Sequence, residues 1–513
     1  MLGKGKKDGG EIVPAPGHIV AAQHPGEWPL DDEVLTSFGS DPKIRENDFC
    51  LSHAFTGVQI FGATGSGKTS ASIKTLVKSY LRAGMGGLVL TAKTDELEEW
   101  IRLAEETGRQ DDLLSFSPKN EYRFDFMRYE LGRKGAGAGQ TENLVNLFCN
   151  VIEVAERKGG QSGNDAYWQR TLKQLLRNAI DLAIIAANDV DLATIHKIVS
   201  SAPKSLDQLE DEKWQKLSVC NLLLLAAEGS EKSDRQKKDF ELVKAYWTEE
   251  FPGLANETRS SIVSIFTSMA DGFLRGTMRE LFCTDLNIRP EDSFDGKIIV
   301  VNLPVKEWNE LGQFAQVLFK FIWQRAVERR IPPGLSREER QKQIRPLFLC
   351  ADESHFFANS YDAQFQSTAR SSRCCTIYAT QNLPSYISAF GGYQGKVEAE
   401  SFVGNLQTKI FHANGDPTTN QWAADSISKK LQVRFRSGMS QALGDRQNQG
   451  MSLNAGGSSM MEYAVPPYDF TLLRTGGHEY EFTVDAIIFQ AGRSWLTEGE
   501  AQNFIRHSFD QKK

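Results

Sequence analysis

The chain of 513 residues is 40% hydrophobic and 24% charged, so it can bury a sizeable core and is not a disordered polymer. Its length suggests roughly three domain-sized units at about 150 residues each. A net charge of −7 and a pI near 5.8 exclude a uniformly basic coat for wrapping nucleic acid, though not a local basic groove.

Residues 1–50 are rich in Gly, Pro and acids, without sustained periodicity, and read as an extended arm or small N-terminal cap. The opening MLGKGKKDGGEIVPAPG has lysines but no apolar core after them, so it is not a signal peptide. Mean hydropathy is −0.39, and no uninterrupted apolar stretch approaches the roughly 20 residues that span a bilayer. From residue 57 the texture changes to short continuous apolar runs at 57–61, 87–91, 298–303, 347–351 and 375–379. Continuous rather than alternating runs suit parallel strands buried on both faces. Leu311, Phe314, Ala315, Leu318, Ile322 and Ala326 recur at helical spacing and predict a helix with one buried face. Strand–helix alternation of this kind predicts an α/β sheet covered by helices on both sides.

The alternation stops between about 131 and 292. After the glycine-rich GRKGAGAGQT, Trp168, Leu172, Leu175, Leu176, Ala179 and Leu182 give a three-four repeat, and Ile262, Ile265, Phe266 and Met269 give another. The division read from this pattern is an arm or cap at 1–50, a first motor part at 51–130, an all-α insertion at 131–292 and a second motor part at 293–513. The polar stretch 437–459, rich in Gly, Ser, Gln, Asn and Met, is expected to be a mobile loop. Seven cysteines without a C-x-x-C pair read as reduced cytosolic thiols, and eight histidines show no metal-ligand spacing, so no structural zinc is expected.

Chemistry enters at Gly62, Ala63, Thr64, Gly65, Ser66, Gly67, Lys68 and Thr69, which spell G-x-x-x-x-G-K-[ST] after an apolar strand and before a helical stretch. Glycines in this pattern let backbone N–H groups turn inward around phosphates, and the helix presents its positive end to them. Lys68 would reach the β- and γ-phosphates of ATP, and Thr69 would ligate Mg²⁺. The expected nucleotide contacts are Gly62, Thr64, Gly65, Ser66, Gly67, Lys68, Thr69 and Ser70. A second signal is Asp352-Glu353 directly after the strand LFLCA. Asp352 would hold the Mg²⁺ and Glu353 would polarise the attacking water. The next strand ends in Thr380-Gln381, which places Gln381 at the carboxyl edge of the sheet as a sensor of nucleotide state or as a helix cap. Arg370 and Arg373 precede that strand, and from the residues alone either is an arginine finger or a solvated helix end.

Together G-A-T-G-S-G-K-T, the strand ending in Asp352-Glu353, and RSSRCCTIYATQN resemble the type IV coupling protein family, TraD/TraG-like, within the FtsK/HerA group of DNA motors. The similarity extends to FVGNLQTKIFHANGDPTTNQWAADSISKKL and to the insertion beginning near Asn164. It implies a RecA-like P-loop ATPase domain with a parallel-rich central sheet interrupted by an all-α domain. A ring of six and ATP-driven transfer of DNA, single-stranded by preference, are further implications, with a relaxase or secretion-channel partner. It implies that Arg370 rather than Arg373 is the finger and that Gln381 is the sensor. Many members carry N-terminal membrane helices that this sequence does not show. The expectation is therefore a cytoplasmic protein, recruited to the inner membrane by a partner, or a cytoplasmic FtsK/HerA-type motor in genome maintenance or phage defence. Rival classes are a DExH helicase, from Asp352-Glu353-Ser354-His355, and a non-motor P-loop switch. Too little sequence follows Glu353 for the helicase's second lobe. Lys429, Lys430, Arg434 and Arg436 in SKKLQVRFRSG would contact phosphate if this is a strand with both arginines on one face, or would simply be solvated.

Overall fold

The computed structural model describes residues 28–512 except 29, 136, 158–164, 188–189, 392–394, 442–450 and 498. Its strands in chain order are β1 (Val34–Ser37), β2 (Asp48–Cys50), β3 (Val58–Phe61), β4 (Gly86–Leu90), β5 (Leu113–Phe116), β6 (Ile298–Val301), β7 (Leu347–Ala351) and β8 (Cys374–Thr380). They continue with β9 (Thr408–Phe411), β10 (Lys429–Gln441), β11 (Met451–Tyr463), β12 (Thr483–Gln490), β13 (Trp495–Thr497), β14 (Glu500–Gln502) and β15 (Phe504–Asp510). Nine form one sheet in the order β15-β12-β9-β3-β8-β7-β4-β6-β5. Neighbours from β9 to β5 are all parallel, whereas β12 runs antiparallel to both β9 and β15.

The five central runs VQIF, GGLVL, IIVV, LFLCA and CCTIYAT are buried at every position. Helices cover both faces of the sheet, so these strands have no solvent side to mark with polar residues. The sequence reading passed over β5, β9, β12 and β15. β5 is an edge strand with three half-buried residues, and β15 mixes buried with exposed positions. β9 is four residues long and includes Lys409.

Between β5 and β6 the regular elements are helical, the longer ones being Thr141–Arg157, Asp165–Ala187, Val219–Gly229, Asp234–Ala245 and Asn256–Phe273. Their apolar residues run without a break into the core on one sheet face, through Phe116, Phe319 and Trp323, while Phe348, Tyr80 and Trp100 lie in the core of the other face. The helix Val305–Arg329 corrects an expectation. It is buried on nearly every side from Gly312 to Val327, not along one face, because it is pinned between the sheet and helix Thr141–Arg157. Leu311, counted in the predicted buried face, is 37% exposed.

Two further expectations change. The stretch 437–459 is not a loop at its ends: 437–441 and 451–459 pair as the antiparallel hairpin β10–β11, Arg434 opposite Ser458 and Arg436 opposite Gly456. The side chains of both arginines lie outside the described residues, as do 442–450, Asn164 and the first 27 residues. The helicase reading also falls. Strands from before and after the helical segment join a single sheet, and the other sheets among the described residues have two strands each, so no second lobe exists there.

Candidate nucleotide site

Functional side chains collect at the carboxyl ends of the parallel strands, where open α/β sheets bind ligands. The loop 62–70 leaves β3 with Gly65 at φ +77° and Gly67 at φ +85°, a backbone region that only glycine enters freely. A side chain at Gly67 would also collide with Val484 of β12. The loop is tied to its neighbours: Gly62 N donates to Thr380 O at 3.3 Å and Ala63 N to Ala413 O at 2.9 Å. It opens into a wide turn, Thr69–Ile73, and then the helix Lys74–Arg82, whose amino end faces the loop. Ser66 is buried, and its hydroxyl has no hydrogen-bond partner among the described residues. Lys68 is buried as well, with its ammonium on Gly62 O at 2.9 Å. Burial pulls its pKa down, although the charges of Asp352 and Glu353 oppose that shift.

β8 lies between β3 and β7 in the sheet, so the acidic pair reaches the phosphate loop across one strand. Thr69 Oγ1 donates to Asp352 Oδ2 at 2.7 Å. Burial would raise the Asp352 pKa, but the Lys93 and Lys68 charges and the hydrogen bonds from Thr69 and Lys93 hold it below the ordinary value. Glu353 sits at φ +46°, an unusual conformation for a residue other than glycine, and its Oε2 accepts no hydrogen bond among the described residues. Strain of this kind concentrates at functional sites. His355 lies 3.8 Å from that oxygen and its Nδ1 is 3.0 Å from Thr380 Oγ1. Gln381 follows β8, the strand between the loop and the acids, and its carbonyl accepts from Asn414 Nδ2 at 2.9 Å.

A cavity of about 540 Å³ joins these parts; its walls include residues 63–70, Glu353, His355 and Gln381. It also includes groups that sequence reading missed. Lys93 reaches Asp352 Oδ2 at 3.1 Å and Glu353 Oε1 at 3.7 Å. Glu96 accepts from the N–H groups of Ala92 and Lys93, and burial, with the Asp352 charge, pushes its pKa up to about 8. Gln511 bonds Ser70 Oγ at 2.7 Å from the far end of the chain. The signal for Lys93 and Glu96 was present: TAKTDE follows a fully buried strand at the same sheet edge as the two motifs.

Thr69 and Asp352 supply two hard oxygens side by side, which suits Mg²⁺, a cation that keeps waters and binds through one or two carboxylates plus phosphates. No cluster of three His, Cys, Asp or Glu that could hold a metal by itself occurs among the described residues. Two oxygens leave the ion's other positions to waters and phosphate, so the donor set fits a metal that arrives with a nucleotide.

Arg370 is not in this site. It caps the helix Ser360–Ala369 and is exposed, on the amino side of β8, while Gln381 follows the carboxyl end of that strand. Seven residues at about 3.3 Å each separate the two ends by roughly 20 Å. Arg373 is different: it is buried, pairs with Asp31 at 2.6 Å, donates to Ile344 O at 3.0 Å and lies over Phe55.

Sheet order, phosphate loop and acidic pair define a RecA-like P-loop ATPase fold. Residues 346–462 match the family model described as the TraM recognition site of TraD and TraG. No curated protein sequence matches the chain. Solved structures of the plasmid coupling protein TrwB do. The complex with the ATP analogue ADPNP superimposes at TM-score 0.59 and 14% identity, covering 93% of this chain and 94% of that one. The complex with ADP and Mg²⁺ gives 0.57 at 13% identity, covering 91% and 88%, and the unbound monoclinic form gives the same values. Residues 346–462 thus resemble the TraM recognition site of TraD and TraG, and the fold over most of the chain is that of the TrwB structures. No described helix is long and apolar enough to cross a membrane.

Proposed function

We propose that this protein is a multimeric ATPase that moves DNA, in the manner of a conjugative coupling protein. The observation that carries the proposal is the split between its catalytic parts. Lys68, Thr69, Asp352 and Glu353 converge at one sheet edge, whereas Arg370 is exposed on the other side of β8. Under this proposal an arginine so placed serves a neighbour's nucleotide and not its own, within an assembly. In this reading Gly62, Thr64, Gly65, Ser66, Gly67 and Ser70 cradle the phosphates of ATP. Lys68 neutralises the β- and γ-oxygens, and Thr69 and Asp352 hold Mg²⁺, which when bound neutralises charge developing on the transferred phosphoryl group. Glu353, with an oxygen free to accept, takes the proton of the attacking water. Gln381, between loop and acids, reports the γ-phosphate. Six copies in a ring, with single-stranded DNA in the central channel, is the arrangement expected.

The hairpin β10–β11 supports the DNA reading, because Arg434 and Arg436 stand two residues apart in the strand β10. The matched segment 346–462 supports a relaxosome protein as a further partner. Recruitment to the inner membrane would come through such a partner.

The test is ATP hydrolysis with and without single-stranded DNA, on mixtures of Arg370→Ala and Lys68→Ala subunits. Each variant alone should be inactive, and mixtures should recover activity where an intact loop meets an intact finger. Mixed rings that form and recover none would remove Arg370 from the role. Hydrolysis indifferent to DNA at every salt concentration would refute the motor and leave a nucleotide switch.

A further inference from the structure

Two lysines face the acidic pair, and the phosphate-loop reading uses only Lys68. Lys93, in the turn after β4, puts its ammonium 3.1 Å from Asp352 Oδ2 and 3.7 Å from Glu353 Oε1. The same Oδ2 accepts the Thr69 hydroxyl at 2.7 Å. Lysine nitrogen and threonine hydroxyl thus converge on one carboxylate oxygen, where a divalent cation held by Thr69 and Asp352 would have to bind. The backbone beneath Lys93 is fixed. Thr91 N donates to Gln316 Oε1 at 2.7 Å, and the N–H groups of Ala92 and Lys93 both go to Glu96. The side chain is less confined: 30% of it is exposed, against 7% for Asp352. A flexible four-carbon stem on a rigid base lets the cation leave without disturbing the sheet.

We infer that Lys93 is the resident counter-cation of the acidic pair, neutralising Asp352 and Glu353 while no metal–nucleotide complex is bound and leaving Asp352 Oδ2 when a divalent ion takes that position. Two carboxylates side by side, both largely buried, are costly unless opposite charge accompanies them. Lys93 and Lys68 supply that charge in the free protein. A bare metal ion would have to expel an ammonium and leave it unpaired beside a dication. A metal that arrives with nucleotide brings phosphate oxygens, which give the displaced ammonium a new partner. The lysine therefore discriminates against metal without nucleotide. The inference rests on the assignment of Asp352 as the metal-side carboxylate, and the experiment separates the two.

Mn²⁺ is the probe, titrated into the full nucleotide-free protein and followed by the loss of its free-ion electron paramagnetic resonance signal. Lys93→Met should bind Mn²⁺ about tenfold or more tightly than the unmodified protein, since a unit charge a few ångströms from the site is removed. Lys93→Gln, a second neutral side chain, should behave alike, and Lys93→Arg, which keeps the charge, should stay near the unmodified protein. Adding Asp352→Asn to Lys93→Met should cancel the gain. Equal Mn²⁺ affinity in the unmodified protein and whichever neutral variants fold overturns the inference, as does a gain that Asp352→Asn does not cancel. The underlying assignment is read from Asp352→Asn alone, by Mn²⁺-dependent binding of ADP. If that dependence survives, the assignment itself falls; if it is lost while the neutral variants match the unmodified protein, only the role of Lys93 falls.

Discussion

At the carboxyl edge of the sheet, Lys93 meets Asp352 at 3.1 Å with 30% of the lysine side chain exposed. In the seam beneath helix Val305–Arg329, Lys320 meets Asp362 at 2.5 Å with neither side chain exposed. The seam pair sits in a dense hydrogen-bond network. Lys320 also donates to Phe357 O at 2.7 Å, and Asp362 accepts from Gln324 at 2.8 Å, Tyr378 at 3.0 Å and the Asn359 backbone at 2.9 Å. At the edge, the neighbouring Glu353 Oε2 has no hydrogen-bond partner among the described residues. The same two residue types hold a helix in place where the pair is enclosed by further hydrogen bonds, and stay exchangeable where the lysine is partly exposed. The seam fixes helix Ser360–Ala369, whose end carries Arg370, while the edge is arranged to receive charge.

Glu353→Gln should give the largest effect. Turnover should fall by about 10²–10⁴, the usual contribution of a general base, with nucleotide binding and melting temperature retained. A variant that hydrolyses ATP at the unmodified rate would show that the edge does not work as described. Asp362→Ala should do the opposite. It leaves Lys320 as an uncompensated buried charge and should cost about 3–5 kcal/mol of stability, measured by urea unfolding. If it lowers turnover without lowering stability, the contrast between the two regions fails.

A pH series sharpens the contrast with a buried group of a third kind. His412 follows β9 beneath the phosphate loop, its ring nitrogens 2.8 Å from Ser72 Oγ and 3.0 Å from Asp485 O. Complete burial, more than the Lys68 charge, brings its pKa from 6.5 to about 4. The unfolded chain then binds a proton between pH 6.5 and 4 that the folded chain refuses, so stability falls as pH falls through that window. His412 should account for about 2 kcal/mol between pH 7 and pH 5. Unfolding free energies at the two pH values check this, and His412→Gln should reduce the difference. The smallest effect concerns the hairpin. Arg434→Ala with Arg436→Ala should lower the salt slope of single-strand binding by about 1.4, two phosphate contacts at roughly 0.7 each. An unchanged slope would make that strand a solvated one.

Local sequence was enough where function demands a fixed backbone or where burial is total. The phosphate loop needs glycine at Gly65 and Gly67 because their φ angles are positive, and Gly67 again because Val484 presses on it. Asp352-Glu353 was legible because the apolar run LFLCA before it has no solvent face. The parallel sheet and the helical segment between β5 and β6 follow from the same two periodicities. Strand order was not legible, and it decides that β8 separates loop from acids and that Gln381 stands between them. Nor was the partner of any charge. Lys93 and Lys320 look alike in sequence, and Arg370 and Arg373 stand three residues apart, yet one of each pair is committed to a buried network and the other is exposed or exchangeable. Side-chain charge is a property of the residue, but the water around it and the opposite charge beside it come from segments distant in the chain, so only the folded structure sets them.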